Sequence, residues 1–455
     1  MTNASTKAGG LYPFLICLVA AVGGFLFGYD LVIISGAQIF LREQFNLNDA
    51  QFGFATTSAI LGCIAGPFLG AWMCDKFGRK RTLIFSSLLF GINAIGTALP
   101  NDIVTFNVFR IVGGVGVGLC SIASPMYIAE IAPARIRGGL GIMYQLAIAV
   151  GCLAAAIVAY FLARYLPAAV SWRWMFGSEM APIIGFVAFL LMVPESPRWL
   201  AEKDRFEEAR RILAKVEGDD FAEKEIAGIK ASLHEETGGF KELLQPGMKW
   251  ALLVGLLLAL FNNLTGWSAM GYYLPTLFQK GGFPNTADAI FQFLIVNIFA
   301  VVLTLLSILL VDRFGRRPLW LFGSAAMAIS LTLTGIAFQM NITGVPLLLL
   351  IFLCAAPHAV ALGPLPWLMM SEIYPTRLRA KAVAVTTTVL WTAGFAGPYV
   401  FPIISGYSER TIGSGGGAFW VYAVICVLAF IFGLKILPET KGRTLEDIAA
   451  SWKKR

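Results

Sequence analysis

Charge is what this 455-residue sequence has least of: Asp, Glu, Lys and Arg make up only 14% of it, where an ordinary soluble domain carries roughly 25%. That is too little to coat a soluble protein of about three domains' length. A soluble enzyme, a disordered chain and a collagen-like fibre are excluded. Histidine is nearly absent, with two residues, which argues against His-rich zinc or haem chemistry. The seven cysteines (Cys17, Cys63, Cys74, Cys120, Cys152, Cys354, Cys426) contain no CxxC pair, and all but Cys74 sit well inside apolar runs. They read as small core residues, not as a disulfide framework or a metal site. A nucleophile–base pair and a nucleic-acid-binding signature are missing too, and GGVGVG at 113–118 lacks the strand context of a dinucleotide site. The sequence therefore predicts no catalytic group, metal or cofactor. What fills it is apolar: 57% hydrophobic residues and a mean hydropathy of +0.73. This is an all-α polytopic membrane protein.

An apolar helix of about 20 residues crosses a bilayer. Twelve segments qualify: 12–36, 51–74, 82–99, 103–129, 138–164, 174–193, 250–278, 286–311, 318–338, 345–371, 381–405 and 416–437. Basic residues after the second, fourth, eighth and tenth segments, and at the end of the chain, all fall on one side. The positive-inside rule puts both termini in the cytoplasm, and a bacterial cytoplasmic membrane is the expected location. The net charge of +8 thus reflects loops at the membrane, not a nucleic-acid partner. One polar stretch, 194–249, interrupts the pattern. Phe206, Ala209, Ile212, Leu213 and Val216 recur in it at helical spacing, predicting two or three short amphipathic helices. His234 lies in this stretch and reads as an exposed residue.

The sequence repeats itself. DKFGRKR at 75–81 returns as DRFGRRP at 312–318, EIAPARIRG at 130–138 as EIYPTRLRA at 372–380, and PESPR at 194–198 more weakly as PETKG at 438–442. Three ordered matches in nearly one register mean duplication. The expected organisation is a six-helix bundle at 1–193, a linker at 194–249, a second six-helix bundle at 250–437 and a tail at 438–455. Each repeated word lies at a cytoplasmic helix end. The pairings expected there are Asp75 with Arg79 or Arg81 and Glu130 with Arg135 or Arg137, repeated around Asp312, Arg316, Glu372 and Arg377, with Glu195 and Glu439 in the flanking words. Such clusters would hold one conformation and break in another. Each such pair, only partly buried at a helix end, is worth ~1 kcal/mol or less, but several together bias a two-state equilibrium.

GFLFGYD at 24–30, the two GRK/GRR loops, PESPRWL at 194–200, GPLPW at 363–367 and PETKG at 438–442 together resemble the sugar-porter family of the major facilitator superfamily. The resemblance covers nearly the whole chain. It implies two pseudo-symmetric six-helix bundles around a central cavity, alternating access, and a monosaccharide or polyol as cargo.

A charge within the bilayer costs ~2.5–3.5 kcal/mol on insertion scales and needs a function or a partner. Asp30 and Arg110 stand at compatible depths in the first and fourth segments. One reading is a static buried ion pair. The other, supported by the resemblance, is that Asp30 takes and releases a proton beside Arg110. Sugar recognition needs amides for the hydroxyls and an aromatic face for the C–H groups. Gln145, Asn262, Asn263, Asn297, Trp367 and Trp391 are the candidates. Gln145, Asn297 and Trp367 also fall on family positions, and Phe27 matches an aromatic beside the acidic one. The chain departs from the family's QQxxGxN word, reading Asn262-Asn263 and ending at Ser268. It has Leu390 or Gly394 where an amide is expected, and His358 where an aromatic commonly sits. Pro364 and Pro366 remove two backbone donors and predict a bendable gate helix. The function implied is proton symport of a small sugar (pentose or hexose) or polyol into the cell by a functional monomer. A facilitative uniporter is the alternative, with a drug–proton antiporter and a transporter-like sensor behind it.

Overall fold

The computed structural model describes residues 11–132, 137–233 and 239–441, and every regular element among them is helical. A helix pairs its own backbone N–H and C=O groups, which hydrocarbon cannot do for it. Twelve helices are long and apolar enough to cross a membrane: Tyr12–Gln44, Asp49–Phe77, Arg79–Ala98, Ile103–Ile131, Met143–Tyr165, Ala168–Met192, Met248–Tyr272, Thr286–Val311, Arg316–Gln339, Val345–Met370, Lys381–Ile412 and Gly417–Lys435. They are spans one to twelve below. Each overlaps one of the segments expected from hydropathy. The first and eleventh helices run on to Gln44 and Ile412, beyond the apolar runs that announce them. Hydropathy marks the lipid-depth stretch, while the hydrogen-bonded ladder continues into polar ends such as Arg42 and Arg410.

Spans six, seven and ten are broken. Span six consists of Ala168–Gly177 and Met180–Met192, with Ser178 and Glu179 in the turn between them. Span seven stops at Leu264 and restarts at Trp267 after Gly266, whose φ of 97° is a conformation glycine adopts without strain. Span ten runs Val345–Pro357, then a π-helical turn at His358–Leu362, then Pro364–Glu372. Its break has a simple cause. In a continuous helix the Leu362 carbonyl would accept from residue 366, which is a proline.

The chain folds into two compact units. The first gathers Met1–Leu31, Gly62–Ala155 and Phe176–Glu236; the second gathers Val32–Leu61, Ala156–Met175 and Thr237–Arg455. In the first unit, spans one and five approach backbone to backbone: a Cβ on Gly28 would fall 2.1 Å from the Ile148 carbonyl oxygen. The linker adds three short helices to this unit, Pro197–Glu202, Phe206–Glu217 and Asp219–Leu233. Ala209, Leu213 and Val216 are buried, and Phe206 and Ile212 pack against Trp199, Leu200, Ala209 and Ile229. The amphipathic spacing is the reason this stretch is ordered. His234 lies outside the described residues.

In the second unit, the end of span one and the start of span two lie against spans seven and eleven, at the end away from the repeated words. The Gln38 amide donates to the Tyr272 carbonyl at 2.7 Å, and the Tyr273 hydroxyl donates to that of Pro398 at 2.9 Å. Phe52 packs on Tyr273 and Phe54 on Phe395. Arg42 pairs with Asp49 at 2.8 Å and Lys280 with Glu409 at 2.9 Å. These ion pairs are half-exposed and each contributes ~0–1 kcal/mol. The contacts that join spans one and two to spans seven and eleven are the buried Gln38 amide and the Phe52–Tyr273 and Phe54–Phe395 ring pairs, while the Tyr273–Pro398 bond ties spans seven and eleven together.

Candidate functional site

The first unit contains a cluster of charge with no access to solvent. Asp30, Asn93, Arg110 and Glu179 are each 0% exposed and come from spans one, three, four and six. Arg110 Nη1 donates to Asp30 Oδ1 at 2.6 Å, and Nη2 to the Asp30 carbonyl at 3.3 Å. The guanidinium also lies 5.5 Å from the Phe176 ring centroid, within cation–π range. Asn93 Nδ2 donates to Asp30 Oδ1 at 2.7 Å and reaches Glu179 Oε2 at 3.4 Å. Beside it, the Tyr29 hydroxyl and Ser178 Oγ lie 2.6 Å apart. Asp30 Oδ2, Glu179 Oε1, Asn93 Oδ1 and Arg110 Nε have no hydrogen-bond partner among the described residues. Two carboxylates and one guanidinium do not balance. Fully ionised, the cluster would carry a net negative charge out of water, which costs several kcal/mol. One proton on the carboxyl pair removes it.

Of these four residues, Asp30 and Arg110 are legible in the sequence; Glu179 and Asn93 are not singled out there. The signal for Glu179 was available. It is a charged residue inside the sixth apolar segment, and the rule that selects Asp30 applies to it equally. Asn93 reads in the sequence only as one more polar residue in a span.

The second unit holds most of the amides and aromatics expected to meet a sugar. Here the structure amends one assignment. Asn262 is buried, and its Nδ2 donates to the carbonyls of Leu362 and Gly363 at 2.9 and 3.0 Å. It supplies the donor that Pro366 lacks, so Asn262 braces the break in span ten and offers no free N–H to a ligand. Asn297 Nδ2 gives one of its two hydrogens to the Phe293 carbonyl of its own helix, 2.8 Å away, which leaves the other available to a ligand. Asn263 reaches across to the Leu390 carbonyl at 3.0 Å, at the place on span eleven where an amide side chain was expected. His358 sits on the π-helical turn, its ring stacked on Trp267 with centroids 6.0 Å apart. Ser268 is half-buried in the restarted part of span seven. Trp391 is 6% exposed whereas Trp367 is 43% exposed. Gln145, exposed on span five, and Phe27, half-buried on span one, belong to the first unit.

Asn262→Leu should lower the thermal stability of the purified protein by ~1–3 kcal/mol, the cost of leaving a buried carbonyl unpaired. Asn297→Leu should change it little, because the Phe293 carbonyl also lies within a continuous helix. Equal midpoints for Asn262→Leu and the parent would show that the brace is unimportant.

The repeated words build the same device twice. In the first unit Arg79 Nη2 lies 2.8 Å from Glu130, whose other oxygen accepts from the Ser196 hydroxyl at 2.5 Å. Glu195 accepts from the backbone N–H groups of Arg79 and Lys80 at 2.9 and 3.0 Å. In the second unit Arg316 lies 2.9 Å from Glu372, which accepts from the Thr440 hydroxyl at 2.6 Å. Glu439 accepts from the N–H groups of Arg316 and Arg317 at 3.0 and 2.9 Å. Burial pushes the Glu439 carboxyl up, but its backbone hydrogen bonds outweigh this and hold it below the usual carboxylate range. Gly78 and Gly315 make both grips possible. Their φ values are 96° and 89°, and a Cβ would fall 2.4 and 2.9 Å from the respective glutamate oxygens.

The expected pairing of Asp75 with Arg79 or Arg81 is not the one formed. The turn at Gly78 delivers the Arg79 guanidinium to Glu130, with Glu202 a further 3.7 Å contact. Asp75 and Arg81 are exposed, and the Asp75 carboxylate has no ion pair among the described residues. Its backbone carbonyl instead accepts from the Trp199 indole N–H at 3.0 Å. Arg135 and the side chains of Asp312 and Arg377 lie outside the described residues.

The chain matches the family model "Sugar (and other) transporter" over residues 16–452. It is 39% identical to an arabinose-proton symporter of Bacillus subtilis over 97% of this chain and 95% of that protein. With a D-xylose-proton symporter of Escherichia coli it shares 37% identity over 98% and 97% of the two chains. The inward open conformation of the xylose transporter XylE from E. coli superposes with a TM-score of 0.86 at 36% identity, covering 97% of this chain and all of that one. The fold is thus that of the major facilitator superfamily, and this chain belongs to its sugar transporter family.

Proposed function

We propose that the protein carries a small sugar across the membrane together with a proton, by alternating access, and that the aldopentoses arabinose and D-xylose are its first candidate substrates. The observation that carries this reading is the charge count in the first unit: two buried carboxylates facing one guanidinium, a cluster that calls for one exchangeable proton. The relatives called arabinose-, D-xylose- and galactose-proton symporters support it. Asp30 and Glu179 share that proton and Arg110 holds the remaining negative charge.

In the second unit the sugar-binding residues are Trp367, whose ring stacks on the sugar, and Asn263, whose Oδ1 accepts from a hydroxyl, beside His358, Trp391 and Ser268; in the first unit they are Gln145 and Phe27. The two matching clusters, Arg79–Glu130 with Glu195 and Arg316–Glu372 with Glu439, act as latches at the basic end of the spans. That end faces the cytoplasm, where both termini lie. One chain carries every group required and works as a monomer in a bacterial cytoplasmic membrane.

The test is uptake of labelled arabinose, D-xylose, D-galactose and inositol into proteoliposomes, with and without an inward proton gradient. Accumulation only with the gradient is expected, for at least one pentose. Equilibration without accumulation would instead identify a facilitative uniporter. For the pocket, Gln145→Ala and Trp367→Ala should each weaken binding of the transported sugar by ~1–3 kcal/mol. Unchanged affinity in both variants would remove these residues from the site.

A further inference from the structure

Asn93 takes no part in the charge balance, yet it touches both carboxylates of the buried cluster. Its side chain is 0% exposed, Nδ2 lies 2.7 Å from Asp30 Oδ1 and 3.4 Å from Glu179 Oε2, and Oδ1 has no partner among the described residues. A carboxylate only accepts hydrogen bonds, whereas a carboxylic acid also donates one. Gain or loss of a proton therefore inverts what each carboxyl requires of its neighbour. An amide carries both functions on one rotor. As oriented, Asn93 donates to an ionised carboxyl. Half a turn about χ2 puts Oδ1 where Nδ2 stands, in place to accept from a protonated one.

Among the described residues, the surroundings leave no other group for this task. Arg110 of span four can only donate. The Tyr29 hydroxyl of span one is engaged with Ser178. Cys63 of span two is near enough to feel the charges of Asp30 and Arg110, but a thiol is a weak donor and a weak acceptor. Room for the amide comes from Gly113 on span four, where a Cβ would fall 2.4 Å from Asn93 Cγ and 2.7 Å from Oδ1.

We propose that Asn93 is a positioning residue for the coupled proton, donating through Nδ2 to Asp30 and Glu179 while both are ionised and accepting through Oδ1 from the carboxyl that takes the proton, so that the proton can be gained and lost without stranding its O–H group. An O–H bond forms on one of the two carboxyls when the proton arrives and breaks when it leaves. The amide rotates but exchanges no proton itself. This rests on the proton-symport reading of Asp30.

The discriminating pair is Asn93→Leu, which keeps the volume and removes both hydrogen-bonding functions, and Asn93→Ser, which loses volume but keeps a hydroxyl that donates and accepts. Each is assayed in proteoliposomes for proton-driven accumulation of arabinose and D-xylose as a function of pH, and for gradient-free counterflow of the same sugars. Asn93→Leu should lose about tenfold or more of its accumulation, the least that a hydrogen bond to a charged group contributes to an equilibrium, while keeping counterflow. Asn93→Ser should keep both, and Gly113→Ala should follow Asn93→Leu. A packing role predicts the reverse order, with leucine tolerated and serine harmful. Parental accumulation by Asn93→Leu, or loss of counterflow along with accumulation in both Asn93 variants, overturns the proposal. Asp30→Asn, run alongside, separates the two levels: if it still accumulates sugar, the symport reading itself has failed.

Discussion

Asp30→Asn should abolish uphill sugar uptake while leaving exchange of sugar across the membrane largely intact. A proton crossing 100 mV contributes ~2.3 kcal/mol and a one-unit pH step ~1.4 kcal/mol. Together they support accumulation of several-hundred-fold at one proton per sugar, so the expected loss is of that size. The substitution is close to isosteric. Asparagine can still accept from Arg110 and Asn93 at the position of Oδ1, where both donors now converge within 2.7 Å. What it cannot do is titrate. Comparing accumulation with counterflow in the same vesicles isolates that property from folding. Accumulation by the Asn variant at the parental level would exclude Asp30 as the coupling group.

The second large effect is on stability. Arg110→Leu should lower the thermal stability of the purified protein by ~3–5 kcal/mol, because it leaves buried charge without its counter-charge. Arg110 is fully buried and is paired with Asp30 at 2.6 Å, with Glu179 bridged to the same cluster through Asn93. The sign of the remedy follows from the same count. Adding Asp30→Asn to Arg110→Leu removes a carboxylate, and the double variant should be more stable than Arg110→Leu alone. A double variant less stable than the single one would mean that the pair is held by packing and not by charge.

These two residues stand out in the sequence because an apolar span makes a charge conspicuous. Hydropathy also exposes the twelve spans, and the register of the repeated words exposes the duplication. It could not reveal the partners, because a repeated Asp and Arg in one word do not say which helix each side chain faces. The turn at Gly78 sends Arg79 to Glu130 and leaves Asp75 exposed, a result of backbone geometry that spacing does not encode. Asn262 shows the same limit from the other side. Its position in an amide-bearing word suggests a sugar ligand, but Pro366 on span ten creates a carbonyl that needs a donor, and Asn262 is the residue that meets it. Pro366 is legible in the sequence; that Asn262 lies beside it depends on how spans seven and ten are broken and packed.

Symport requires that sugar and proton move together through this chain. Its most direct measurement is the pH of a lightly buffered suspension of de-energised cells producing the protein, recorded as arabinose or D-xylose is added. Symport predicts an immediate alkalinisation of the medium with a transported sugar, absent in cells producing Asp30→Asn. Entry of labelled sugar at the parental rate with no change in external pH would contradict it.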